Sequence, residues 1–204
     1  MDIGLNTQAG GLAMNVLEQS WEAARFRRGL SPKQARGRVL EQQSFTQFVW
    51  DFLEAECGPY LVVNPDMGGK VPETLTELRE AVRSLDGEIP VSGEACSNTV
   101  FVHSDRNCQF RALHDRLHLA TGFDTTAAGE MALAVAHQAQ LDAALGHCRA
   151  SDSANEAWLR AVIWAETFGQ NAHYVAHGKF PRDQALFTLR AIAYGVDAAV
   201  YWAE

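Results

Sequence analysis

The stretch FRALHDRLHLATGFDTTAAGE, residues 110–130, decides how the chain is read. It carries His114 and His118 four residues apart, Asp115 directly after the first, and Glu130 twelve residues past the second. On a helix, positions i and i+4 lie about 40° apart, so both imidazoles leave one face, one turn apart, and can reach one cation. Two histidines at this spacing also occur by chance, so the neighbouring segments have to decide the matter.

Those segments read as helices. Ser104 or Asp105 caps a helix running to about Ala120. Thr125 or Thr126 opens a second that ends near Gly146, and Ser153 caps a third that reaches His177 and is closed by Gly178. Pro181 opens a last helix that continues to Trp202. Short connections imply antiparallel neighbours in a bundle over residues 104–204. In the second helix Glu130 and His137 share a face with Leu133, Ala134 and Leu141; in the third, Glu166 falls among Leu159, Val162 and Ile163, with Gln170 and His173 continuing the stripe. A carboxylate on a core-facing stripe needs a cation, an arginine or a hydrogen-bond network, because burying it unpartnered costs several kcal/mol. Three consecutive helices presenting His or Glu to a shared interior is how bundles build metal sites. The expected ligands are His114, His118 and one of Glu130 or Glu166, with His137 and His173 in reserve. Imidazoles with one carboxylate suit Zn(II), Mn(II), Ni(II) or Fe(II) better than Ca(II) or Mg(II). Neither glutamate is followed by His three residues on, so a mononuclear centre is expected rather than a dinuclear carboxylate one.

Upstream, residues 1–10 have turn formers and no period and are expected to fray. Val16, Leu17 and Trp21 recur at helical spacing up to Arg28, Gly29 stops the run, and Ser31-Pro32 launches a second helix through Val39, Leu40, Phe45, Phe48, Val49, Phe52 and Leu53. Residues 11–56 thus predict a helical hairpin. Residues 58–72 hold three Pro and three Gly and read as a loop. A short helix follows in PETLTELREAVRSLDG, and residues 88–103 read as extended, with a strand at Thr99 to Val102. The whole is a single all-α domain over 1–204, with a loop-rich middle.

Composition narrows the function. The chain has 204 residues, 47% of them hydrophobic, which suits one domain with a real core. A formal charge of −8 argues against a broad nucleic-acid footprint. The local basic run from Arg25 to Arg38 reads as a solvated face around a helix-helix turn. Four scattered cysteines without a CxxC pair suggest neither a zinc ribbon nor a disulfide framework and fit a reducing cytoplasm. Neither a secretory leader nor a membrane span is legible, so a cytoplasmic protein with no membrane partner is expected. Walker loop, dinucleotide fingerprint and GxSxG are all missing.

Three resemblances attach to these residues. HDRLH resembles the HExxH of zincins, which implies that Asp115 draws a proton from metal-held water. It departs in having the shorter Asp, Thr121 where metzincins carry glycine, and no third His; Asp124 lies where a third ligand could fall. The simpler role for Asp115 is a surface pair with Arg111 at i−4. LHDRLH followed by Gly129-Glu130 is similar to HD-domain phosphohydrolases, which are all-helical. That similarity implies a His-Asp dyad with an upstream His, here His103, and a downstream Asp, here Asp142 or Asp197. Finally, FRALHDRLHLATGFDTTAAGE and WAETFGQNAHYVAHGKFPRDQALF resemble uncharacterised bacteriophage and prophage proteins. This implies an effector in the host cytoplasm during infection, acting on a host partner, or a minor virion component.

The expected function is a metal-dependent hydrolase of a phosphoester or amide, in which Asp115, or whichever of Glu130 and Glu166 is not a ligand, takes the proton. Two rivals use the same residues. One is a non-haem iron oxygenase; the other is a non-enzymatic effector or structural protein stapled by a metal or a polar network.

Overall fold

The computed structural model describes residues 51–64, 69–94, 99–101, 103–146 and 153–201. The expected hairpin over 11–56 lies outside the described residues except for its end, 51–56, which is helical. Phe52, Leu53 and Cys57 from this end are buried in the main core.

Strand β1 (Tyr60–Val63), helix α1 (Leu75–Ser84) and strand β2 (Ile89–Ser92) form a small unit in which the strands run parallel, Tyr60 facing Ile89 and Val63 facing Ser92. Parallel strands cannot be joined by a tight turn, and α1 is the crossover. Thr74 caps α1, its hydroxyl accepting the Glu77 N–H at 3.2 Å, while the Glu77 carboxylate accepts the Glu73 N–H at 2.9 Å. This unit corrects the purely helical reading. Segment 58–72, read as loop, contains β1, and residues 99–101 form a turn where a strand was expected. The pairing falls instead on Ile89–Ser92, whose Ile89 and Val91 are buried beneath α2.

The remainder is helical: α2 (Ser104–Thr121), α3 (Ala127–Gly146), α4 (Ser153–Trp164), a π-helical turn (Ala165–Gly169), α5 (Gln170–His177), α6 (Gln184–Tyr194) and α7 (Val196–Val200). The third expected helix is continuous to His177 but carries the π turn in its middle. The last expected helix needs correction at both ends. It starts at Gln184, where the Asp183 carboxylate caps the Leu186 N–H at 2.8 Å, and it breaks at Gly195 before the short α7. One core unites the layers: Leu53, Ile89, Leu113, Leu141, Leu159, Val162 and Ile192 belong to a single cluster. The protein is mostly helical with one two-stranded parallel sheet, and no helix among the described residues is long and apolar enough to cross a membrane.

Two arginines moor α2 to the sheet unit. Arg111 donates to the Ser92 and Glu94 carbonyls at 2.7 and 2.8 Å; Arg116 donates to those of Cys57 and Pro59 at 3.0 and 3.1 Å. These bonds satisfy loop carbonyls on either side of the parallel pair and hold the histidine face of α2 in place.

Gly195 sits at φ 92°, ψ 154°, a backbone region open essentially to glycine alone. Gly195→Ala is expected to cost about 1–3 kcal/mol, read as a lower urea midpoint with an unchanged slope.

Candidate metal centre

The end of α2 is shaped by Gly122, whose left-handed backbone (φ 76°) lets its N–H close on the His118 carbonyl at 2.9 Å. The chain then doubles back, and the Phe123 carbonyl lands 2.9 Å from His118 Nδ1. Asp124 Oδ1 accepts the Thr126 N–H at 3.1 Å and the Thr126 hydroxyl at 2.5 Å. The same hydroxyl oxygen caps the Gly129 N–H at 3.2 Å, and the Thr126 carbonyl accepts the Glu130 N–H at 2.8 Å. Thr125 ties this loop to α1 through the Glu73 carbonyl, 3.1 Å away. Glu130 therefore enters on the first turn of α3, where the helix dipole favours a carboxylate.

His114, His118 and Glu130 meet here. The two imidazole Nε2 atoms are 3.2 Å apart; His114 Nε2 is 3.3 Å from Glu130 Oε2, and His118 Nε2 is 3.2 Å from Glu130 Oε1. They are the one His/Cys/Asp/Glu group among the described residues that could hold a metal ion. Bonds of about 2.0–2.1 Å in a tetrahedral arrangement put ligand atoms about 3.3 Å apart, so the donors already stand at the spacing of a first-row metal. The tautomer of His118 follows from its partner. A carbonyl only accepts, so Nδ1 carries a proton there, and in the neutral ring Nε2 faces Glu130 as a bare lone pair. The His118 side chain is 1% exposed, whereas those of His114 and Glu130 are 23% and 18% exposed, which leaves the cluster one wet side.

The electrostatics couple Glu130 to the two imidazoles. Burial works to raise the Glu130 carboxyl, but the hydrogen bonds of His114 and His118 outweigh it and bring it down to about 2. Burial works to lower His118, and its bonds to Glu130 and the Phe123 carbonyl leave it raised overall.

The other sequence candidates are placed differently. His137 is buried on α3 behind His114, its Nε2 3.3 Å from His114 Nδ1; burial, and then the charges of His114 and His118, push it well below the usual histidine range. Asp115 is partly exposed, and burial of its carboxyl raises it to about 6 against the pull of His114 and His118. Its expected pair with Arg111 does not form, because that guanidinium is committed to the Ser92 and Glu94 carbonyls.

Glu166 is not brought to the cluster. It lies in the π turn, where the Thr188 hydroxyl donates to Oε1 at 2.5 Å and Gln170 Nε2 donates to Oε2 at 2.8 Å, and burial raises it to about 7. His173 is buried farther along that helix and donates from Nδ1 to the Lys179 carbonyl at 2.9 Å. Asp142, implied by the HD-domain likeness, pairs with Arg160 at 2.6 Å, and Asp124, the third ligand suggested beside the zincin likeness, is held by Thr126. The Phe123 carbonyl and the contact of His137 with His114 went unforeseen in the sequence. Gly122, directly after Thr121, was the available signal for a chain reversal beside His118.

In comparison with known proteins, no family model matches the chain, and no match was found among curated proteins or solved structures.

A Cβ on Gly129 would be driven into the backbone carbonyl of Asp124. Gly129→Ala is expected to lose about 1–3 kcal/mol and to weaken metal binding, because the loop that sets His118 and Glu130 must open; chemical denaturation and zinc titration check both. Glu166 makes a separate prediction. Its folded value lies above the unfolded 4.5, so the native protein keeps a proton that the unfolded chain releases, and stability is lost as pH rises from about 4.5 to about 7. Glu166→Gln should therefore gain on the parent protein, by on the order of 3 kcal/mol, when urea midpoints are compared at about pH 8 rather than about pH 4.5.

Proposed function

We propose that the protein is a metal-dependent hydrolase whose mononuclear centre is held by His114, His118 and Glu130. The observation that carries this reading is the mutual 3.2–3.3 Å spacing of three donors, one of them a buried imidazole oriented by a backbone carbonyl. A carbonyl or carboxylate on the far nitrogen of a ligating histidine is the usual outer support of a metal site. Zn(II), Mn(II), Ni(II) and Fe(II) are the ions that such a donor set suits.

Three protein ligands would leave a coordination position, and the partial exposure of His114 and Glu130 supports its being open to solvent. When bound, a divalent cation supplies Lewis acidity, acidifying water and polarising a phosphoryl or carbonyl oxygen. His118 and Glu130 hold their positions through the 122–126 loop, and Asp115, next to His114 on the same helix, is the group assigned to accept a proton from water. Glu166, enclosed by Thr188 and Gln170, takes no part. The substrate class is a phosphoester or an amide.

Protein purified without chelator is expected to retain a stoichiometric transition metal by elemental analysis, to lose it in His118→Ala, and to hydrolyse a generic phosphodiester or amide panel with the metal alone added back. Metal retained without turnover across the panel would instead favour a structural staple joining α2 to α3. Oxygen uptake after anaerobic Fe(II) loading would favour an oxygenase, and an unmetallated protein that cannot be loaded would overturn the reading.

A further inference from the structure

The metal reading leaves one buried histidine unexplained. His137 occupies a position where an apolar residue would pack without cost: it is 2% exposed, sits between Phe110 and His114, and is surrounded by the buried Leu133, Ala134 and Leu141 of its own helix face. Its ring stacks on Phe110, with 27° between planes and centroids 5.7 Å apart, and lies edge to edge with His114, with 17° between planes and centroids 5.4 Å apart. Stacking alone would be served by phenylalanine. What phenylalanine lacks is the nitrogen that His137 aims at His114, Nε2 to Nδ1 at 3.3 Å.

That contact bears on the state of His114. The ring of a neutral histidine carries one proton, on one nitrogen or the other. His114 presents Nε2 to His118 and Glu130, so it can ligate a metal there only if its proton is on Nδ1. A proton on Nδ1 needs an acceptor. His118 has the Phe123 carbonyl in that role; the atom within reach of His114 Nδ1 is His137 Nε2, which accepts when the His137 ring carries its proton on Nδ1. The two ligating histidines are thus supported differently, one by main chain and one by a side chain from the facing helix.

Resting on the metal site proposed above, we infer that His137 is a positioning residue: by accepting the Nδ1 proton of His114 it selects the tautomer that ligates through Nε2, and it touches neither metal nor substrate. Within the pair His114 and His137 the proton count balances without net change, and any proton on His118 Nε2 leaves to solvent separately. In the metal-free cluster, with His114 protonated at Nε2 towards Glu130, His137 donates its Nε2 proton to the contact. When a metal takes the Nε2 position of His114, that ring's Nε2 proton leaves to solvent, the His137 proton crosses to His114 Nδ1, and His137 takes one proton from solvent at its own Nδ1.

The test sets shape against chemistry at residue 137 with Zn(II) as the probe. His137→Phe keeps a stacking ring and loses the acceptor; His137→Gln loses the ring and keeps an amide oxygen that can accept. The inference expects zinc affinity to fall about 10–100-fold in His137→Phe and to be largely rescued in His137→Gln. A merely space-filling role expects the reverse order. Independently of any variant, long-range nitrogen-proton NMR of the zinc-loaded parent protein should show His114 protonated at Nδ1 and His137 at Nδ1. Zinc affinity undiminished in His137→Phe, or His114 protonated at Nε2 in the loaded protein, would overturn the inference while leaving the hydrolase reading intact. Zinc bound with the expected order of variants but no hydrolysis would sink that reading and spare the inference, and a parent protein that binds no zinc would overturn both.

Discussion

Two imidazole nitrogens and a carboxylate stand within 3.3 Å of one another at the junction of α2 and α3. With both nitrogens unprotonated such an arrangement repels itself unless something positive lies between its members. Contact with the carboxylate favours protons on the imidazoles, which is why His118 is raised and Glu130 lowered. One metal ion would take the place of those protons and satisfy all three groups at once. Much of the surrounding structure serves to hold this unfavourable convergence in place: the arginine moorings of α2, the reversal at Gly122, the Asp124–Thr126 bonds and the packed face of α3.

The 122–126 loop does most of that work because it acts on two ligands from one short segment. Its Phe123 carbonyl orients His118, and its Thr126 starts the helix on which Glu130 occupies the first turn. Any loosening of the loop would move both ligands together. Gly129 is needed for the tight approach of Asp124 to the start of α3, so a residue with no side chain has a direct effect on ligand geometry. Arg111 works from the other side, and its use of two loop carbonyls explains why Asp115 is left without the ion pair that helical spacing suggested.

How much of this was legible in the sequence depended on how local each feature is. Helix ends at Gly87 and Gly178 could be read because a glycine stop is a property of a few residues, and both adopt positive φ. Gly195 obeys the same physics and was missed, since the apolar pattern on either side continues through it. Strand β1 was invisible: Tyr-Leu-Val-Val is too short to show alternation, and it is a strand because Ile89–Ser92, across α1, pairs with it. The π turn left no signature in sequence. At the site, His114 and His118 were legible from spacing alone, whereas Glu130 and Glu166 were indistinguishable: each is a carboxylate on a buried stripe. Tertiary placement separated them, giving one two imidazoles and the other a hydroxyl and an amide.

That separation has a physical logic of its own. Both glutamates are removed from bulk water, yet their proton affinities move in opposite directions, to about 2 and about 7. Burial acts in the same sense on both, so the difference comes from the partners. Imidazoles can become cations and pull a carboxylate down; the neutral donors Thr188 and Gln170 offset only part of the desolvation. A carboxylate kept ionised beside two histidines can bind a metal without first giving up a proton, while one near neutrality and enclosed by neutral donors would have to lose both its proton and its partners. The same residue type is thereby available to a cation on α3 and confined to packing in the π turn.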